Sequence, residues 1–140
     1  MKAIICGAGQ VGSNIAKELA SEKVDVTVID QSADLIERIR DTLDVRAMVG
    51  HAPLPDILES AGAADADMII AVTYADEVNM IACQVAHTLF KTQTKISRVR
   101  SPNYLAYQEQ LFNRENIPVD VIIGPEQLVT KSIQKLIANP

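Results

Sequence analysis

The chain has 140 residues, 48% of them hydrophobic and 22% charged, which suits one globular domain with a full core and excludes a disordered chain or two domains of similar size. A net charge of −5 is the wrong sign for a protein that gains affinity by neutralising backbone phosphates, and 4% aromatic residues without tryptophan leave no stacking platform for single strands, so no nucleic-acid partner is expected. No apolar run reaches the roughly 18 to 20 residues that cross a bilayer, and Met1-Lys2 leads into a strand signal instead of a signal peptide, so the expected location is cytoplasmic.

In chain order, Ala3-Ile4-Ile5-Cys6 predicts a strand that stops at glycine, and Val11, Ile15, Ala16 and Leu19 follow helical spacing. Val26 to Ile29 repeats the strand signal and ends at Asp30; Ser32 then caps a helix with Leu35, Ile36, Ile39 and Leu43 on one face. Val45 to Val49 predicts a third strand, Gly50-His51-Ala52 its terminal loop, and Pro53 to Ala61 a short helix closed by Gly62. Met68 to Val72 predicts a fourth strand, followed by a long helix from about Ala75 to Phe90 with Val78, Ile81, Ala82, Val85 and Leu89 inward. Ile96 to Val99 is a fifth strand. A polar amphipathic helix after Ser101-Pro102 carries Leu105, Leu111 and Phe112; Val121 to Ile123 is a sixth strand, and Gln127 to Ile137 a closing helix.

Strands alternating with helices predict an α/β fold: a doubly wound parallel Rossmann sheet with helices on both faces and strand order 3-2-1-4-5-6, residues 1–140 forming a single domain. Cys6 and Cys83 fall in an apolar strand run and on an apolar helix face, without zinc or redox spacing, and are expected as buried free thiols.

The chemistry concentrates in Gly7-Ala8-Gly9-Gln10-Val11-Gly12, which follows the first strand, opens a helix, and is succeeded 18 residues beyond Gly12 by Asp30 at the next strand end. That is the context of a dinucleotide fingerprint. Gly7 permits a tight turn, Gly9 lets the backbone approach a diphosphate, and Gly12 lets the helix pack against the sheet, with free N–H groups around Gly9 to Val11 as donors. Asp30 is expected to accept from ribose hydroxyls and to repel a 2′-phosphate, favouring NAD(H) over NADP; Arg38 and Arg40 lie too far along the following helix to clamp such a phosphate. Thr73 and Tyr74 leave the fourth strand at the crevice where strand order reverses and are candidates for the second phosphate or distal ribose. Asp76 and Glu77 stand in the first turn of the long helix, where the dipole favours acids, and read as structural. Arg98 and Arg100 alternate along the fifth strand and need an anionic partner, a ligand phosphate or a carboxylate across a subunit interface. His51 and His87 have no triad or metal-ligand spacing, and no catalytic residue is expected.

The opening residues 1–30 resemble the N-terminal nucleotide-binding domain of TrkA-type potassium uptake regulators, the KTN or RCK family. Asp65 to Ala86 is similar to that family's AD-(apolar)-A-T-x-x-DE-x-N pattern, and Val121-Ile122-Ile123-Gly124-Pro125-Glu126 to its sixth strand and following Pro-Glu. The resemblance implies a regulatory domain, not an enzyme: a cytoplasmic subunit that builds dimers and rings beneath a potassium-translocating membrane protein and responds to NAD(H), ATP or ADP. It implies nucleotide contacts at Gly7 through Gly12, Asp30, Thr73, Tyr74 and Arg98; Gln31 and Ala52 are also expected among the cofactor-binding residues. Arg100 becomes a phosphate or interface contact, and Glu126 a cation ligand at a dimer interface. His51 stands where the family usually has aspartate beside the adenine, suited to stack on or donate to the base. Gln10 stands where some ATP-responsive relatives carry arginine, which favours NAD(H). The competing reading is the cofactor half of an NAD-dependent oxidoreductase, which needs a substrate domain with a positioned acid or base.

Overall fold

The computed structural model describes residues 1–124. Six strands, β1 (Lys2–Cys6), β2 (Asp25–Asp30), β3 (Arg46–Val49), β4 (Met68–Ala71), β5 (Thr94–Arg98) and β6 (Val121–Ile123), form one sheet in the order β3-β2-β1-β4-β5-β6. Every pairing is parallel. Parallel neighbours need crossovers, and α1 (Gln10–Ser21), α2 (Ala33–Thr42), α3 (Pro55–Ser60) and α4 (Asp76–Phe90) supply them.

Register explains the layering. Ala47, Val28, Ile5, Ile70, Ile96 and Val121 stand side by side across all six strands and pack on the face that holds Ile15 and Leu19 of α1 and Ile36 and Ile39 of α2. One residue further along each strand, Met48, Ile29, Cys6, Ala71 and Ile122 meet Leu58 of α3 and Ala82, Cys83 and Ala86 of α4 on the opposite face. Strands buried on both faces explain the unbroken apolar runs. Each fully buried isoleucine or leucine contributes about 1.5–3 kcal/mol.

Ser32 caps α2 as its position predicts, its Oγ accepting from the Leu35 N–H at 3.2 Å. Three expectations need correction. The inward face of α4 is Asn79, Met80, Ala82, Cys83 and Ala86, whereas Ile81 and Leu89 are more than half exposed; small residues let this helix lie close to the sheet. The amphipathic helix after Ser101 is broken into α5 (Pro102–Leu105) and α6 (Gln108–Leu111), with no fully buried residue in either. The short helix after β3 begins at Pro55, not Pro53. The helix expected over Gln127 to Ile137 lies outside the described residues.

Candidate functional site

The carboxyl ends of β1, β2 and β4 converge on one crevice. The Gly7 N–H continues the ladder by donating to the Ile29 carbonyl at 2.8 Å, and the chain then turns with Gly7 at φ +116°, a conformation that favours glycine. A Cβ on Gly7 would stand 2.9 Å from the Val72 carbonyl oxygen. Gly9 differs: a Cβ there would meet nothing within 4 Å. This open space lies at the N-terminus of α1, where Gly9 provides no side-chain cap and the first turn carries no acidic residue. The N–H groups of Gln10 and Val11, which have no intrahelical acceptor, and the positive end of the helix dipole therefore remain available to an anion.

Asp30 holds this turn in place. Its Oδ2 accepts from the Ala8 N–H at 2.7 Å and its Oδ1 from the Ser32 N–H at 2.8 Å. Each carboxylate oxygen retains acceptor capacity for a further donor. The position fits a ribose-binding acid, but half of the carboxylate's hydrogen bonding organises the loops themselves.

Two hollows meet along Asp30, Thr73 and Tyr74. One, of about 250 Å³, is walled by Ile29, Asp30, Gln31, Gly50, His51, Ala52, Ala75 and Val78. The other, of about 180 Å³, is walled by Gly7, Gly9, Gln10, Val11, Leu35 and Arg98. Tyr74 stands on the shared lip with 84% of its surface exposed. On the rim of the first hollow, Gln31 Nε2 lies 2.8 Å from His51 Nδ1.

Behind the crevice, Asn79 is fully buried. Its Oδ1 accepts from the Thr73 N–H at 2.9 Å and the Thr73 hydroxyl at 2.7 Å, and its Nδ2 donates to the carbonyls of Thr73 at 3.2 Å and Arg98 at 3.0 Å. One amide thus braces the ends of β4 and β5. Asp76 accepts from the N–H groups of Arg100 and Ser101. Glu77 accepts from the Tyr104 hydroxyl at 2.7 Å, a bond that lowers the Glu77 pKa and raises that of Tyr104. Both acids are committed to structure, as their place at the start of α4 suggested.

Eleven of the fourteen residues singled out in the sequence line the two hollows: Gly7, Gly9, Gln10, Val11, Asp30, Gln31, His51, Ala52, Thr73, Tyr74 and Arg98. Ala8 and Gly12 work from beneath, the first through its N–H and the second through its lack of a Cβ. Arg100 departs from expectation: β5 ends at Arg98, so alternation along a strand does not reach Arg100, which is exposed and lines neither hollow. Glu126 lies outside the described residues. Arg40 donates to the Ala47 carbonyl at 3.1 Å and Arg38 lines an adjoining hollow between α1 and α2, so neither lines the two hollows that meet at Asp30. Among the described residues no cluster of three or more His, Cys, Asp or Glu could hold a metal ion, and no helix is long and apolar enough to cross a membrane. The brace at Asn79 and the Gln31–His51 pair were not expected from the residues alone; a lone asparagine among apolar helix positions was the available signal for the first.

The family model described as the TrkA-N domain matches residues 3–125. The chain belongs to the TrkA-N family. Over its whole length this TrkA-N chain is 53% identical to the Trk system potassium uptake protein TrkA of Vibrio alginolyticus and 54% identical to that of Halomonas elongata, spanning 31% and 30% of those proteins. Among solved structures, the TrkA-N domain of the inner membrane protein ybaL from Escherichia coli superposes with a TM-score of 0.76 at 20% identity, covering 96% of this chain and 95% of that one. The GsuK channel bound to NAD aligns with a TM-score of 0.72 at 17% identity, over 87% of this chain and 21% of that one. The Shewanella denitrificans Kef C-terminal domain in its AMP-bound form aligns with a TM-score of 0.72 at 20% identity, over 99% and 81%. These likenesses identify a shared Rossmann-type fold for the TrkA-N chain.

Proposed function

We propose that this TrkA-N chain is a regulatory nucleotide-binding domain of a potassium uptake system, with NAD(H) as its preferred ligand and ATP or ADP as the alternative. The observation that carries the reading is the open space over Gly9, set between the α1 amides, the Asp30 carboxylate and the Arg98 side chain. A diphosphate fits that space chemically: backbone donors and a helix dipole on one side, a cation on the other. Asp30 then holds the adenosine ribose, Gln31, His51 and Ala52 border the base, and Thr73 and Tyr74 face the distal half. Asp30 opposes a 2′-phosphate, and Arg38 and Arg40 of the helix that follows it line neither hollow.

In this reading nucleotide occupancy shifts the arrangement of copies of the domain within a homo-oligomer, a dimer that builds to a ring, and an integral-membrane potassium transporter reads the shift. The location is then cytoplasmic, at the inner face of the membrane. Regulation of this kind requires the ligand to bind one arrangement more tightly than the other. The relatives' naming as potassium uptake proteins supports the transport role, and the NAD- and AMP-bound neighbours support an adenine nucleotide in the crevice. Calorimetry with NADH, NAD, ATP and ADP, run beside a hydride-transfer assay, tests the proposal. Saturable binding without turnover is expected. Binding of none of them refutes the nucleotide reading, and hydride transfer refutes the regulatory one.

A further inference from the structure

The rim contact between Gln31 and His51 assigns a proton. In the observed geometry Gln31 Nε2 lies 2.8 Å from His51 Nδ1. With the Gln31 amide in this orientation Nε2 donates and Nδ1 accepts, and a neutral imidazole that accepts at Nδ1 carries its hydrogen on Nε2. No hydrogen bond engages that second nitrogen among the described residues, and His51 is part of the wall of the 250 Å³ hollow. In that arrangement the hollow has a donor on its wall.

We propose that Gln31 is a positioning residue that holds His51 in the Nε2–H tautomer, so that the base hollow reads an unprotonated ring nitrogen of a purine. The inference rests on the nucleotide reading above and specifies how its base end is recognised. Adenine is the fitting base, because N1, N3 and N7 are all acceptors and each of its edges therefore offers the imidazole a partner. The rest of the hollow is suited to a flat apolar ring: Ile29, Ala52 and Val78 contribute hydrocarbon, and the Asp30 carboxylate is occupied with backbone and sugar. Selectivity for the base then comes from one donor whose tautomer is set by its neighbour on the rim.

The test has two readouts on the 140-residue chain. At about pH 8, above the ordinary range of imidazole titration, the ¹⁵N spectrum of the rings separates the tautomers, and His87 is the other histidine to assign. His51 is expected as the Nε2–H form, shifting toward a mixture in Gln31→Leu. Binding of AMP is then compared with that of its 1-deaza, 3-deaza and 7-deaza analogues, each replacing one acceptor nitrogen by C–H. One analogue is expected to bind about tenfold more weakly than AMP, the scale of one hydrogen bond, and His51→Ala abolishes that difference. Gln31→Leu weakens AMP while leaving nicotinamide mononucleotide, which lacks the purine, unchanged. An Nδ1–H ring in the parent chain, or equal binding of AMP and all three analogues, overturns the proposal. Failure of AMP to bind where NADH or ADP binds overturns base recognition alone; failure of all of them overturns the nucleotide reading, while the ring spectrum still decides whether Gln31 sets the tautomer.

Discussion

Gly12 lies so close beneath Gly7 that a Cβ on Gly12 would stand 1.8 Å from the Gly7 carbonyl oxygen. The neighbour is backbone, held by the bond from the Gly7 N–H to the Ile29 carbonyl, so it cannot rotate aside as a side chain would. Gly12→Ala is expected to displace the turn and destabilise the fold by at least about 1–3 kcal/mol, the cost of overpacking a rigid site. Urea denaturation measures it. A loss below about 0.5 kcal/mol, the scale of an ordinary surface change, contradicts the packing argument.

Gly9→Ala is the complementary case. Its methyl group projects into open space, so the only stability cost expected is that of alanine as a poorer N-cap residue than glycine, up to about 1 kcal/mol. That same methyl group occupies the volume assigned to the diphosphate. Affinity for NADH or ADP should therefore fall by about 1–3 kcal/mol, the penalty for an extra group in a filled space. Calorimetry on the folded variant reads it, and unchanged affinity moves the phosphates away from Gly9.

Asp30→Ala should damage both stability and binding, because the carboxylate accepts from Ala8 and Ser32 before any ligand arrives. Loss of two charge-assisted bonds to backbone donors predicts a destabilisation of about 1–3 kcal/mol, with a further loss in affinity for ribose-containing ligands. Asp30→Asn retains one acceptor oxygen and places an amide N–H₂ toward the other backbone donor, so an intermediate effect is expected. Denaturation curves and calorimetry under fully folded conditions separate the two losses. A ligand effect with no stability effect contradicts the double role.

How much of this was legible in the sequence depends on the range of the interaction. The strand, glycine turn and helix of residues 2–21 are set by local spacing, and the site inherits its position from them. Asp30 was identifiable from its distance to Gly12, but its hold on the Ala8 amide spans 22 residues and leaves no local trace. The face of α4 is only partly legible: Val78, Ile81, Ala82, Val85 and Leu89 form a coherent apolar stripe, of which Ala82 is buried and Val85 packs on the core, but Ile81 and Leu89 are exposed because the helix also turns Cys83 and Ala86 inward for close approach and buries Asn79 for its hydrogen bonds. Lys95 offers a similar case. It is buried in β5 because its ammonium group reaches the Thr92 carbonyl at 2.9 Å and Asp120 at 3.2 Å, a partner 25 residues away that spacing alone does not reveal.

Asn79→Leu tests the brace behind the crevice. Leucine is close in volume but leaves the Thr73 N–H and hydroxyl and the carbonyls of Thr73 and Arg98 without the partner they now share. Unsatisfied buried groups cost about 1–3 kcal/mol each, and partial relaxation makes a total of about 3–5 kcal/mol the expected loss. Because Thr73 and Arg98 line the crevice, ligand affinity should fall as well. Denaturation at saturating and zero NADH reads both effects. Wild-type stability in this variant rules out the brace.

The two thiols predict a dependence of stability on alkaline pH. Burial pushes Cys6 up to about 12 from an ordinary 9.0, and burial, followed by the neighbouring Cys6, raises Cys83 as well. Both stay neutral in the folded chain while the unfolded chain releases their protons above 9.0, so their contribution is complete below that pH and is lost as pH rises toward the folded values. The expected slope is about 1.4 kcal/mol per pH unit for each thiol. Urea denaturation between about pH 8 and pH 10 should show this decline in the parent chain and a shallower one in Cys6→Ala/Cys83→Ala. Equal slopes in the two proteins would assign the alkaline loss to other groups, and rapid reaction of the folded chain with a thiol reagent at neutral pH would contradict the burial on which the argument rests.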